Sequence, residues 1–190
     1  MRSIMGKFNF IETGIKDMFV AEPTVFGDNR GYFMETYNQG EFDAAGHVLR
    51  FVQDNQSKSR RGVLRGLHMQ VNNPQGKLVR CIRGEVWDVG VDIRKGSETF
   101  GKWYGTSLSE ENKRMLYIPE GFLHGFVVLS DEAEFVYKCT RLYDPSDELG
   151  TLYNDIDLGI EWPDPGCDLI LSEKDLKQHS FAEVRQILGL

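Results

Sequence analysis

Arg65 and His68 are delivered by a stretch that otherwise reads as an apolar strand, Gly62-Val63-Leu64-Arg65-Gly66-Leu67-His68-Met69-Gln70. An imidazole is the default proton carrier near neutral pH. A guanidinium, always charged, suits a phosphate or an enolate oxygen. Glycines among strand formers mark a bulge, or a place where a ligand or another backbone comes close. Taken alone, the stretch is better described as one strand with a surface arginine and a histidine satisfied in the core.

The elements that must position these groups are short strands. Residues 8–11, 18–20, 32–37, 77–83, 86–93, 100–108, 115–118, 122–129 and 133–140 carry strand-forming residues, bounded by glycine, proline and polar turns. Residues 77–83 alternate polar and apolar with the period of a half-buried strand. Residues 51–57 start as a strand and end polar, and the basic run 58–61 reads as a solvated turn. Residues 41–45 and 181–188 suit short helices, while the tail from Asp144 is richer in loops. Many short strands joined by turns imply an antiparallel sandwich or barrel.

The chain has 190 residues, the length of one domain with a full core. Its 41% hydrophobic content decides against disorder. A net charge of -7 disfavours nucleic acid as a partner, but leaves room for a local basic pocket holding one phosphorylated small molecule. No apolar run is long enough to span a bilayer, so no membrane partner is expected. The start, Met1-Arg2-Ser3-Ile4-Met5-Gly6-Lys7, lacks the apolar centre of a secretory signal. Cys81, Cys139 and Cys167 are odd in number and widely spaced, with no CxxC pair, and read as free thiols in a reducing cytoplasm. The expected localisation is cytoplasmic.

Small jelly-roll barrels of the cupin type carry two blocks: a glycine followed by His-x-His and a glutamate, then Pro-x-Gly-x-x-His. Gly62 to His68 resembles the opening of the first block, and Pro119-Glu120-Gly121-Phe122-Leu123-His124 the second. This resemblance implies a barrel with His68 and His124 in its mouth. The metal set is incomplete, because Gln70 stands where the second histidine should be and no glutamate follows in residues 71–75. Two imidazoles and an amide hold a divalent ion poorly. No metal is expected, and the histidines are free for acid–base work.

A wider set of segments resembles one family, the dTDP-4-dehydrorhamnose 3,5-epimerases. They are Val25-Phe26-Gly27-Asp28-Asn29-Arg30-Gly31, Phe51-Val52-Gln53-Asp54-Asn55, the strand ending in His68, and Gln75-Gly76-Lys77-Leu78-Val79-Arg80. The Pro119 block continuing into Gly125-Phe126, then Tyr137-Lys138-Cys139-Thr140 and Leu171-Ser172-Glu173-Lys174-Asp175, complete them in order. The resemblance implies an all-β fold: a cupin-type jelly-roll barrel of antiparallel strands with an N-terminal strand extension and short helices. It implies a single domain over residues 1–190 and a homodimer. The implied reaction is cofactor-free inversion at C3 and C5 of a dTDP-4-keto-6-deoxy sugar, giving dTDP-4-dehydro-β-L-rhamnose.

Both carbons flank a ketone, so the reaction needs a base on one face, a proton donor on the other, and positive charge at the oxygen. By resemblance His68 is the base, Asp175 the carboxylate that fixes its tautomer, Tyr137 the acid and Lys77 the group that stabilises the enolate. Tyr143 is a weaker candidate for the acid. Arg65 is expected at the enolate or the diphosphate. Arg30, Glu35, Gln53, Asp54, Asn55, His124, Glu148 and Lys174 match substrate-binding positions of the family, some of them expected from a second subunit. Met69 stands where the family usually has an aromatic residue, and Arg141-Leu142-Tyr143 replaces a tyrosine pair. The alternatives are a single-site 3- or 5-epimerase on a related nucleotide keto-sugar, an inert sugar-binding cupin, and a metal-dependent cupin oxygenase or isomerase.

Overall fold

Strands with one apolar face must close that face against another layer. The computed structural model, which describes residues 7–190, shows two antiparallel sheets closing on each other. The expectation about the chain start falls mainly on residues 1–6, which lie outside the described residues. In chain order the elements are β1 (Phe8–Glu12), β2 (Phe19–Pro23), β3 (Phe26–Asp28), β4 (Gly31–Phe33), α1 (Gln39–Ala44), β5 (Gln53–Arg60), β6 (Leu64–Gln70) and β7 (Lys77–Arg83). Then come β8 (Glu85–Asp92), β9 (Trp103–Ser109), β10 (Met115–Ile118), β11 (Phe122–Val128), β12 (Glu132–Cys139), β13 (Glu148–Gly150), a 3-10 turn at Asp175–Lys177 and α2 (Phe181–Leu188). One sheet has the order β1-β2-β10-β7-β12-β5, the other β13-β6-β11-β8-β9. The antiparallel barrel expected from the sequence is the fold observed.

Alternation along each strand divides the interior from two outer cores. Met18, Val20, Val79, Val86, Leu116, Ile118, Phe126 and Phe135 fill the space between the sheets. Beyond the second sheet, Leu67, Met69, Val89, Val91 and Leu123 pack against Phe181 and Val184 of α2. Beyond the first, Phe42 of α1 packs with Phe8, Phe19 and Tyr117. Both helices are fixed by caps. Asn38 accepts from the backbone N–H of Gly40 and Glu41, at 3.0 and 3.3 Å. Ser180 and Glu183 form a capping box, and Gly189 closes α2 at φ 64°.

Three local expectations change. The polar run 58–61 is not mainly a turn, because β5 continues through Arg60 in register with β12 up to Glu132. With no apolar alternation to mark it, its ladder with β12 is the cause. The strand foreseen over 32–37 shrinks to β4, half of an exposed hairpin with β3 that joins neither large sheet. In the tail, β13 pairs with β6, a strand too short to carry a period.

Asp92 ends β8 fully buried. It accepts from Arg94 Nε at 3.0 Å, Ser97 Oγ at 2.6 Å and Thr99 Oγ1 at 2.6 Å, which fixes the following loop. Burial opposes its charge, but these bonds outweigh burial and depress the carboxyl to about 2. A depressed carboxylate stabilises the fold above its unfolded pKa and loses that contribution as pH falls through the folded value. The drop from 3.8 to about 2 corresponds to about 2 kcal/mol. Urea unfolding of Asp92→Asn and wild type should therefore show a stability gap that narrows between about pH 4 and about pH 2.

Candidate active site

His68 lies on the inward face of β6 and stands directly across from His124 of β11. The two strands approach unusually closely just beside it. A Cβ on Gly66, whose φ is +122°, would come within 2.5 Å of the Gly125 Cα, so only glycine fits. The register between β6 and β11 shifts between His124 and Phe126. The glycine therefore marks both a close backbone approach and a bulge.

Asp175 meets His68 across 107 residues of chain, its Oδ1 2.6 Å from Nε2. The C-terminal segment reaches β6 because Ile170 N donates to Gly62 O at 2.8 Å and Leu64 N to Ile170 O at 3.0 Å. Ser172 then turns the chain: its Oγ accepts from Asp175 N at 3.1 Å and donates to Asp175 Oδ2 at 2.7 Å. Burial works against the Asp175 charge, yet the bonds from His68 and Ser172 outweigh it and hold the carboxyl below its ordinary range. A charged Asp175 assigns the imidazole proton to Nε2, leaving Nδ1 with its lone pair.

Glu148 of β13 is the second carboxylate beside this ring, with Oε1 3.7 Å from His68 Nε2. It pairs with Lys174 Nζ at 2.6 Å and accepts from Tyr143 OH at 2.8 Å. Burial again opposes the charge, and the bonds from Lys174 and Tyr143 keep Glu148 below its ordinary value. The same bond pushes the Tyr143 phenol up to about 12, so it stays protonated.

Deeper in, His124 Nε2 lies 2.9 Å from Asp88 Oδ2. Burial lowers the His124 pKa and raises that of Asp88, each partly offset by the other. Asp88 Oδ1 has no hydrogen-bond partner among the described residues. Sequence reasoning passed over Asp88 and Ser172. Period-2 alternation in residues 86–93 could have found Asp88, a carboxylate on the face shared with Val86, Gly90 and Asp92.

Lys77 and Tyr137 come from the opposite sheet. Lys77 is held down mainly by burial, against the pull of Cys139, Asp88 and Glu148. Burial raises the Tyr137 phenol. No hydrogen bond engages the Lys77 ammonium or the Tyr137 hydroxyl among the described residues. Both side chains line one cavity of about 710 Å³ together with His68, His124, Glu148 and Asp175.

The remaining expected residues divide. Arg65, Gln53, Asn55 and Lys174 also border the cavity. Arg65 is exposed and, among the described residues, its side chain donates to Ser59 Oγ alone, at 3.2 and 3.3 Å. Gln53 spends its amide on Tyr143 N and Asn55, at 2.8 and 3.0 Å. Asp54 faces away from the cavity, paired with Lys138 at 2.9 Å. Arg30, paired with Asp28 on the exposed hairpin, and Glu35, paired with Lys7, are outside the cavity of their own chain. Met69 packs chiefly in the outer core with Leu67 and Leu149. At the cupin metal position Gln70 turns its amide to the backbone of Asn73 and Leu142, at 2.8 and 3.2 Å. No group of three or more His, Cys, Asp or Glu side chains able to hold a metal occurs among the described residues.

The chain was compared with known families, curated proteins and solved structures. A family model described as dTDP-4-dehydrorhamnose 3,5-epimerase matches residues 12–183. A dTDP-4-dehydrorhamnose 3,5-epimerase of Methanothermobacter thermautotrophicus is 56% identical over 172 residues, 90% of this chain and 93% of that protein. The crystal structure of a dTDP-6-deoxy-D-glucose-3,5-epimerase from Legionella pneumophila, in complex with dTDP-4-keto-L-rhamnose, superimposes with a TM-score of 0.91 at 48% identity, covering 95% of this chain and 96% of that one. A 3'-monoepimerase from Streptomyces bikiniensis, in complex with dTDP-quinovose, gives 0.86 at 36% identity, covering 95% and 91%. The match spans both sheets and the C-terminal segment that carries Asp175 to His68, and the chain belongs to the dTDP-4-dehydrorhamnose 3,5-epimerase family.

Proposed function

We propose that this protein inverts C3 and C5 of dTDP-4-dehydro-6-deoxy-D-glucose, giving dTDP-4-dehydro-β-L-rhamnose, by proton transfer through an enolate. One observation carries the reading of the site: the carboxylate-bound imidazole of His68, the phenol of Tyr137 and the side chain of Lys77 border one cavity. His68 Nδ1 removes the proton from a carbon beside the ketone, and the electron pair moves onto the ketone oxygen. Lys77 meets the charge that develops there. Tyr137 returns a proton to the carbon from the opposite face, and the carbonyl reforms. One proton leaves the sugar and one arrives at each centre, so no oxidant or reductant enters the balance. Asp175 keeps the imidazole in the right tautomer and stabilises its charged form. Arg65, charged and without a carboxylate partner among the described residues, suits the diphosphate at the cavity edge.

We further infer a homodimer. Arg30 and Glu35 sit outside the cavity of their own chain, and the hairpin carrying Arg30 exposes Phe26, Tyr32 and Phe33. A second copy would cover those rings and bring the hairpin to its neighbour.

Turnover in deuterated water tests the reaction, because the Tyr137 proton is renewed from solvent. The product should carry deuterium at both C3 and C5. Label at one carbon alone would assign single-site epimerisation, the activity named for the Streptomyces bikiniensis relative.

A further inference from the structure

We infer that Gln70 is a positioning residue, whose amide clamps the segment 142–144 and so holds Tyr143 across the cavity against Glu148. The inference rests on the proposed reaction for its kinetic consequence, but not for the clamp itself.

Gln70 is 3% exposed. Its Nε2 donates to Asn73 O at 2.8 Å and to Leu142 O at 3.2 Å, and its Oε1 accepts from Asp144 N at 2.9 Å. Both amide hydrogens are therefore spent on backbone, one of them on the residue before Tyr143, while the oxygen takes the residue after it. The clamped segment has little apolar packing of its own, since Leu142 is 68% exposed and Tyr143 51%. Other glutamines add to the hold: Gln53 Oε1 accepts from Tyr143 N and Gln75 Nε2 donates to Arg141 O, each at 2.8 Å. From this anchored backbone the Tyr143 hydroxyl reaches Glu148 at 2.8 Å. Glu148 is the cross-strand neighbour of Gln70 and the second carboxylate beside His68. The position that would hold a metal ligand in a cupin thus fastens a wall of the cavity.

The wall matters because one imidazole must serve an intermediate that can either take its proton back or accept one on the other face. Tyr143 limits how that sugar sits between His68 and Tyr137. A loosened wall changes the share of enolate that returns to substrate, which a general loss of stability does not.

The first test is local. Arg141 is an exposed trypsin site beside the clamp. In folded Gln70→Leu, cleavage after Arg141 should be about tenfold faster than in wild type, as expected where local opening governs proteolysis. An unchanged rate overturns the clamp, whatever the enzyme does. The second test is kinetic. In deuterated water, the ratio of label in recovered substrate to inverted product should shift about threefold or more in Gln70→Leu, the scale on which hydrogen-bonded neighbours couple. Tyr143→Phe should shift it in the same direction, and the double variant should go no further. An unchanged ratio, or effects that multiply, overturns the positioning role. Should Gln70→Leu fail to fold, Gln70→Glu keeps an acceptor for Asp144 N but, as a carboxylate, sets an oxygen against the carbonyls of Asn73 and Leu142. A shift in the same direction in both readouts is then expected, and no shift overturns the inference. Absence of any exchange in wild type would count against the proposed reaction, and leaves the trypsin result standing as the test of the clamp.

Discussion

Replacing His68 with alanine should lower kcat on the order of 10³-fold and stop solvent deuterium from entering the sugar, since general-base catalysis contributes roughly 10²–10⁴-fold. No nearby group is equipped to take over. His124 Nε2 is committed to Asp88 at 2.9 Å, and burial holds its pKa down. Glu148 is kept charged but weakly basic by Lys174 and Tyr143, although burial works the other way. Asp175 loses the bond from His68 that helps to hold its carboxyl down, and as a buried carboxylate oriented by Ser172 it has no imidazole through which to reach the sugar. Arg65 is untouched by the change, so calorimetric affinity for dTDP should stay within about threefold of wild type. Near-normal turnover of the variant would remove His68 from the role of base.

Tyr137→Phe should separate the two halves of the reaction. Proton removal relies on His68 and Lys77, which the substitution leaves in place. Return from the opposite face loses its donor. Product formation should fall on the order of 10²-fold, while deuterium continues to enter recovered substrate through His68. The variant should fold normally, because the Tyr137 hydroxyl engages no hydrogen bond among the described residues and the ring packs against the interior core. Burial raises the Tyr137 pKa, with the Cys139 thiol adding to that and Arg65 opposing it. The phenol is therefore protonated at neutral pH and ready to donate. If exchange and inversion fell together, Tyr137 would be a structural neighbour of the base, and Tyr143 would become the donor to test.

The strands that carry chemistry were legible in the sequence wherever one face is apolar. Residues 77–83 alternate, and β7 follows them with Lys77 and Val79 facing inward. The Pro119 block announces a turn and delivers His124 opposite His68. Where the inward face is itself polar, alternation vanishes. β5 lines the cavity with Gln53 and Asn55 and so looked like a strand running out into a loop. Asp88 escaped notice for the related reason that an inward carboxylate among valines carries no motif of its own.

By itself the sequence determined the antiparallel barrel and the glycine-marked site beside His68, which follow from side-chain period and turn chemistry acting over a few residues. The family, and with it the residue types that move a proton next to a ketone, came from the resemblance of ordered segments spread along the chain. Tertiary structure alone decided that Glu148 joins Asp175 beside the imidazole, that Gln70 spends its amide on loop backbone, and that Arg30, Glu35 and Asp54 stay clear of this chain's cavity. The Asp175 contact depends on where the returning C-terminal segment bonds beside the start of β6. That closure joins positions 107 residues apart, a separation at which local periodicity holds no information.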